Sequence, residues 1–119
     1  MSKSKDKGTA FETAVVRYLR DRLGDDEIDR MPLRGSRDEG DIRGLKLRGM
    51  SVCVEVKNHK QLRLHEWMGQ LIDEQGNMDA DLGMIIAHRD GCGDKHIGES
   101  WCVTTLDDVI ALALGGRDV

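Results

Sequence analysis

The sequence predicts a single α/β domain with five strands and three helices in the order α-β-β-β-α-β-β-α. Three observations carry this expectation. Residues 51–57 (SVCVEVK) alternate cleanly, residues 82–87 (LGMIIA) form a short and almost wholly apolar run, and two segments repeat apolar residues at helical spacing. At 119 residues the chain has room for one core of this kind and none for a second independent one.

Residues 1–8 are basic and polar and are expected to form a flexible arm, with the folded domain spanning 9–119. The first helix is placed over 9–23, with Phe11, Ala14, Val15, Tyr18 and Leu19 on one stripe and Gly24 as its stop. Residues 27–33 read as a strand that Pro32 ends at an edge or bend. A polar loop over 34–40 follows, then a second strand from Asp41 to Leu47. In the third strand, 51–57, Val52, Val54 and Val56 point one way while Cys53, Glu55 and Lys57 point the other. Leu64, Trp67, Met68, Leu71 and Ile72 give the second helix its packing stripe over 62–76. The apolar run 82–87 suits a central strand covered on both faces. A glycine-rich loop is expected over 90–100, a short strand over 101–104, and a last helix over 107–114 ended by Gly115 and Gly116.

Composition narrows the function. Charged residues make up 34% of the chain and aromatics 3%, a soluble surface over an aliphatic core, and the apolar runs are too short for a membrane span. The polar start lacks the apolar stretch of a secretory signal, so a cytoplasmic location is expected. A net charge of −4 argues against coating nucleic acid through bulk electrostatics. Its distribution says more. Between residues 33 and 63, eight basic residues (Arg34, Arg37, Arg43, Lys46, Arg48, Lys57, Lys60, Arg63) outnumber four acidic ones (Asp38, Glu39, Asp41, Glu55), which favours one basic face. Three cysteines without a CxxC pair argue against a disulfide framework. His88, Cys92, His96 and Cys102 offer four zinc-type donors, but their spacing matches no compact structural zinc pattern.

The chemistry centres on Asp41 and, fourteen residues on, Glu55-Val56-Lys57. Glu55 and Lys57 share a strand face, about 6.5–7 Å apart along the chain. If the two strands form a hairpin around Gly49, Asp41 lies beside Glu55. Two carboxylates brought together in this way repel, and a bound Mg²⁺ or Mn²⁺ relieves the repulsion by taking an oxygen from each. Such an ion polarises a phosphate and lowers the pKa of a bound water, and a neighbouring lysine orients that water or meets charge building on phosphorus. The expected reaction is phosphodiester hydrolysis.

In these residues the chain resembles the PD-(D/E)xK nucleases, which include restriction endonucleases, recombination exonucleases and junction resolvases. Lys7-Gly8 with Glu12, then Arg30 to Ser36 ahead of Asp41, then EVK and a helix, is most similar to the archaeal-type Holliday junction resolvases over residues 7–88. The resemblance implies a restriction-endonuclease-like fold with a central mixed five-stranded sheet, and an Mg²⁺-dependent endodeoxyribonuclease acting on branched DNA as a homodimer. It implies that Asp41 and Glu55 hold metal, joined by Glu12 and Val56, and that Lys57 acts beside the attacking water. Ser36 is implied to touch the scissile strand, with Gln70 as an accessory residue. Lys7, Arg30, Arg34, Arg37, Lys60 and Arg63 are the expected phosphate contacts. Gly40 stands where the family commonly has proline.

Each of these residues also has a plainer reading. Asp41 fits a turn carboxylate, and Glu55 with Lys57 fits an exposed ion pair on a strand face. Thr9-Ala10-Phe11-Glu12 fits a capping box, in which the glutamate serves the start of the helix. Ser36 fits an ordinary turn, and the basic residues fit a solvated face. Other nucleases of the same superfamily, whether nicking, restriction-like or exonucleolytic, and a silent nucleic-acid-binding module are the competing functions.

Overall fold

A computed structural model of the chain describes residues 3–32 and 38–117. Helix α1 (Lys3–Leu23) begins at Lys3 rather than at Thr9, so Thr9 lies inside the helix, where its carbonyl accepts the Thr13 hydroxyl at 2.9 Å. The capping-box reading of Glu12 therefore does not hold: Glu12 sits mid-helix, where backbone N–H groups are already paired. Phe11, Val15 and Val16 form the buried stripe, and Tyr18, expected in it, is 40% exposed.

Two short strands, β1 (Asp29–Arg30) and β2 (Ile42–Arg43), pair antiparallel, and β2 pairs antiparallel with β4 (Met50–Lys57). The strand expected over 41–47 is broken into β2 and β3 (Lys46–Leu47). Ile42 faces Val54, whereas Lys46 faces Ser51, so the first strand carries one extra residue between the two registers. This is a β-bulge. Its glycine, Gly44, has φ +83°, and a Cβ there would lie 2.5 Å from the Glu27 carbonyl oxygen. The extra residue puts Ile42 and Leu45 on the same buried side, which strict alternation would not.

Strand β4 runs parallel to β5 (Leu82–Ala87), with Glu55 opposite Ile85, and β5 pairs antiparallel with β6 (Trp101–Val103). The sheet has six strands, in the order β1-β2-β4-β5-β6 with β3 also paired to β4. It is the mixed sheet flanked by three helices that was expected, with one strand more than the expected five because the segment 41–47 is broken in two. Helices α1 and α3 (Leu106–Leu114) cover one face through Phe11, Val15, Val52, Val54 and Ala111. Helix α2 (Leu64–Met78) covers the other through Trp67 and Leu71 against Cys53 and Ile85. Of the apolar stripe expected for α2, Leu64 and Ile72 are exposed, and Glu74 takes the next buried position after Leu71. The segment expected as a loop over 90–100 contains a short 3₁₀ turn, Asp94–Glu99. No helix among the described residues is long and apolar enough to cross a membrane.

Candidate active site

The alternation of β4 decides which side chains meet. Its valines enter the α1 and α3 side of the core, and Cys53, Glu55 and Lys57 turn toward α2. Because β2 pairs with β4 in the Ile42–Val54 register, Asp41 arrives next to Glu55. Its backbone is fixed on both sides: its N–H donates to the Val54 carbonyl (2.7 Å), and its own carbonyl accepts the Met31 N–H (2.8 Å). The side chain is fixed as well, with Asp41 Oδ2 accepting the Val56 N–H at 2.7 Å. A turn carboxylate facing solvent would have none of these restraints.

Glu55 is 7% exposed. Burial, followed by contact with the carboxyl groups of Asp41 and Glu74, raises its pKa well above the ordinary carboxylate range. The exposed Glu55–Lys57 ion pair does not form. Lys57 Nζ instead donates to Gln70 Oε1 at 3.0 Å and lies 5.8 Å from the centre of the Trp67 ring, so α2 holds the lysine from two directions. Gln70, suspected only as an accessory residue, is thus the partner of Lys57.

Glu12 joins from α1. It shares an open cleft of about 430 Å³ with Asp41, Glu55, Val56 and Lys57, and its pKa is raised by burial and by the charge of Asp41. Arg30 Nε lies 3.6 Å from Glu12 Oε1 and opposes that rise. Lys7 and Lys60 line the same cleft, and the Asn58 side chain ties the start of α1 to the end of β4 by donating to the Lys7 carbonyl (3.5 Å). Arg63 and Lys60 border an adjoining groove with Gln70 and Trp67, and Arg63 also pairs with Glu66 at 3.8 Å. Ser36, Arg34 and Arg37 lie outside the described residues.

Two acidic residues escaped the sequence reading. Glu74, on α2, is 3% exposed, and carboxylate oxygens of Asp38, Glu55 and Glu74 lie within 4.8 Å of one another. Burial raises the pKa of Glu74 too, and Glu74 Oε1 is buried with no hydrogen-bond partner. The signal was available in the helical spacing: Trp67, Leu71, Glu74 and Met78 fall on one stripe, and an acid in the core position of such a stripe is unusual. The negative charge accumulated here is also felt by Cys53, whose thiol is pushed up to about 12 by burial first and then by Glu74 and Glu55. Three converging carboxyl groups, those of Glu55 and Glu74 buried and that of Asp38 exposed, form an oxygen donor set suited to a hard divalent cation, and the unpartnered Glu74 oxygen fits such a group.

Gly40 makes the cluster possible. Its φ is +90°, a value closed to proline, and a Cβ there would lie 2.7 Å from the Val54 carbonyl oxygen. The Gly40 N–H donates to Asp38 Oδ1 (3.0 Å), and the Asn77 side chain donates to the Asp38 carbonyl (2.8 Å), which turns Asp38 back toward α2. Three of the four zinc-type donors in the C-terminal part have other neighbours. His88 packs edge-on against Phe11, His96 Nδ1 lies 2.7 Å from Glu99, and Cys102 stands opposite Ile86 in the sheet.

Residues 3–111 match a family model described as "Phage putative PDDEXK endonuclease". No curated protein and no solved structure matches the chain.

Proposed function

We propose that this chain, which belongs to that PDDEXK endonuclease family, is a Mg²⁺- or Mn²⁺-dependent endodeoxyribonuclease that resolves four-way DNA junctions in the cytoplasm. Family membership makes it a nuclease; the metal, the substrate and the residue roles are our reading. The observation that carries it is the convergence of Glu12, Asp41, Glu55 and Lys57, from three separate elements, in one open cleft.

In this reading Asp41 and Glu55 hold the cation, with Glu12 and the Val56 carbonyl beside them. When bound, the cation offsets the carboxylate repulsion, polarises the scissile phosphate and lowers the pKa of a water. The remaining work falls to the protein. The Val56 N–H keeps Asp41 aimed at the cleft, so the carboxylate needs no reorganisation. Gln70 and Trp67 hold the Lys57 ammonium at the cleft wall, where it orients the attacking water and meets charge on the phosphoryl oxygens. Lys7 and Lys60 bind flanking phosphates, Arg63 extends that track along the adjoining groove, and Arg30 exchanges its Glu12 contact for a phosphate. Ser36 is assigned to the scissile strand, and Arg34 and Arg37 to flanking phosphates.

The preference for branched DNA rests on the resemblance to junction resolvases. Symmetric cutting needs two sites related by a two-fold axis. Helix α3 supplies a surface for that dimer: Leu106, Val109, Ile110 and Leu114 are all exposed, Leu106 to 75%. The test is a panel of matched four-way junction, flap, linear duplex and single-stranded DNA, each with Mg²⁺ or EDTA. Paired, metal-dependent cuts confined to the junction support the reading. Equal cutting of every duplex makes the protein a general nuclease, and binding without cutting removes the enzymatic role.

A further inference from the structure

Asp38 and Glu74 have no role in the site just proposed, yet the fold keeps both against Glu55. Glu74 is the stronger evidence. A carboxylate 97% removed from solvent should have its oxygens paired, because stranding one in the protein interior costs about 1–3 kcal/mol. Glu74 Oε1 has no partner, and one carboxylate oxygen of Glu74 lies within 4.8 Å of an oxygen of Asp38 and of Glu55. No lysine or arginine forms an ion pair with Asp38, Glu55 or Glu74 among the described residues, so no protein cation meets these carboxyl groups. The third corner is set by a turn that glycine permits: the positive φ of Gly40 and the Gly40 N–H bond to Asp38 Oδ1 bring Asp38 in toward Glu55.

We infer that Asp38, Glu55 and Glu74 form a second divalent-cation site, on the α2 side of Glu55, so that Glu55 is shared between two ions. The ligand class is a hard cation with oxygen preference, Mg²⁺ or Mn²⁺, since every donor is a carboxylate oxygen. The arrangement places Asp41 and Glu12 on one side of Glu55 and Asp38 and Glu74 on the other. The functional meaning of this site rests on the nuclease reading above; its occupancy does not.

The test counts ions. Mn²⁺ binding to the purified full chain at neutral pH is followed by calorimetry and by the loss of the free-Mn²⁺ paramagnetic resonance signal, with no DNA present. The wild type is expected to take up two Mn²⁺ per chain, and Glu74→Gln and Asp38→Asn one each. Asp41→Asn is expected to lose the other ion and keep the one at Asp38 and Glu74. Glu74→Gln keeps shape and removes charge in the core, and Asp38→Asn acts at the surface, so a folding defect in the first leaves the second informative. The Mn²⁺-induced rise in Tm should shrink in both. One Mn²⁺ per wild-type chain, unchanged by Glu74→Gln and Asp38→Asn, overturns the second site; it would mean that a water or a shared proton satisfies Glu74. A wild type that binds two Mn²⁺ but cuts no DNA upholds the site and overturns the nuclease reading.

Discussion

Lys57 Nζ and Gln70 Oε1 lie 3.0 Å apart, a hydrogen bond that ties the lysine of β4 to the middle of α2. The nearest carboxylate on its own strand face, Glu55, is not the partner of Lys57. Gln70 is therefore proposed as a positioning residue for Lys57. Gln70→Ala should lower kcat about fivefold and leave KM nearly unchanged, the consequence of losing about 1 kcal/mol of orientation at an exposed site. Gln70→Glu, which keeps an acceptor, should recover most of the loss. An equal change in kcat and KM for both variants would show that Gln70 acts on binding instead.

Glu55 gives the protein a specific pH dependence. Its folded pKa is raised from 4.5, so between that value and its folded pKa the native state holds a proton that the unfolded chain has lost. Without metal, stability should therefore fall as pH rises from about 5 toward 8. Added Mn²⁺ should flatten or reverse this slope by taking the place of the proton. Melting curves across this range, with Mn²⁺ or with EDTA, measure it, and Glu55→Gln should reduce the metal-free slope to the part that Glu74, whose pKa is also raised, contributes. A metal-free Tm that climbs with pH would contradict the assignment.

Glu12 separates structure from catalysis because its mid-helix position gives it no capping duty. Glu12→Gln should change stability by no more than about 0.5 kcal/mol, as expected for a site without a buried network. Cleavage should fall by about 10- to 100-fold, the usual range for loss of a group that supports a metal ligand. A variant with normal cleavage would return Glu12 to the role of an ion-pair partner for Arg30.

Gly40→Ala should destabilise the domain by at least about 1–2 kcal/mol, the cost of a left-handed residue with a Cβ. The added methyl also meets the Val54 carbonyl at 2.7 Å, which the rigid β4 backbone cannot relieve. The denaturant midpoint reads this directly. An unchanged midpoint would mean that the turn relaxes and that Asp38 is not held as described.

Much of this was legible in the sequence. The strict alternation of 51–57 placed Glu55 and Lys57 on one face, and the hairpin brought Asp41 beside Glu55. The run 82–87 became β5, a central strand at its expected limits. What stayed hidden depended on tertiary placement. The bulge at Gly44 follows from the close approach of the Glu27 carbonyl, which no periodicity records. Asp38 looked like one more charge in a polar loop until the φ of Gly40 turned it inward. Glu74 is nineteen residues beyond Glu55, and only the packing of α2 on β4 joins them. Its buried position showed in the helical stripe, but Ile72, the apolar residue that seemed to continue the stripe, is 60% exposed.

In the proposed function, the Asp41–Glu55 pair drives metal-dependent phosphodiester cleavage. Single-turnover cleavage of a four-way junction by wild type and Asp41→Asn, each with Mg²⁺ and with EDTA, tests it most directly. Paired cuts by the wild type in Mg²⁺ alone are expected, with at least about a hundredfold slower cutting by Asp41→Asn, beyond the loss expected for a merely supporting residue. The amide introduced by Asp41→Asn keeps an oxygen to accept the Val56 N–H, so the melting temperature of this variant should hold. Cleavage that persists in EDTA, or an Asp41→Asn protein that cuts at the wild-type rate, would contradict it.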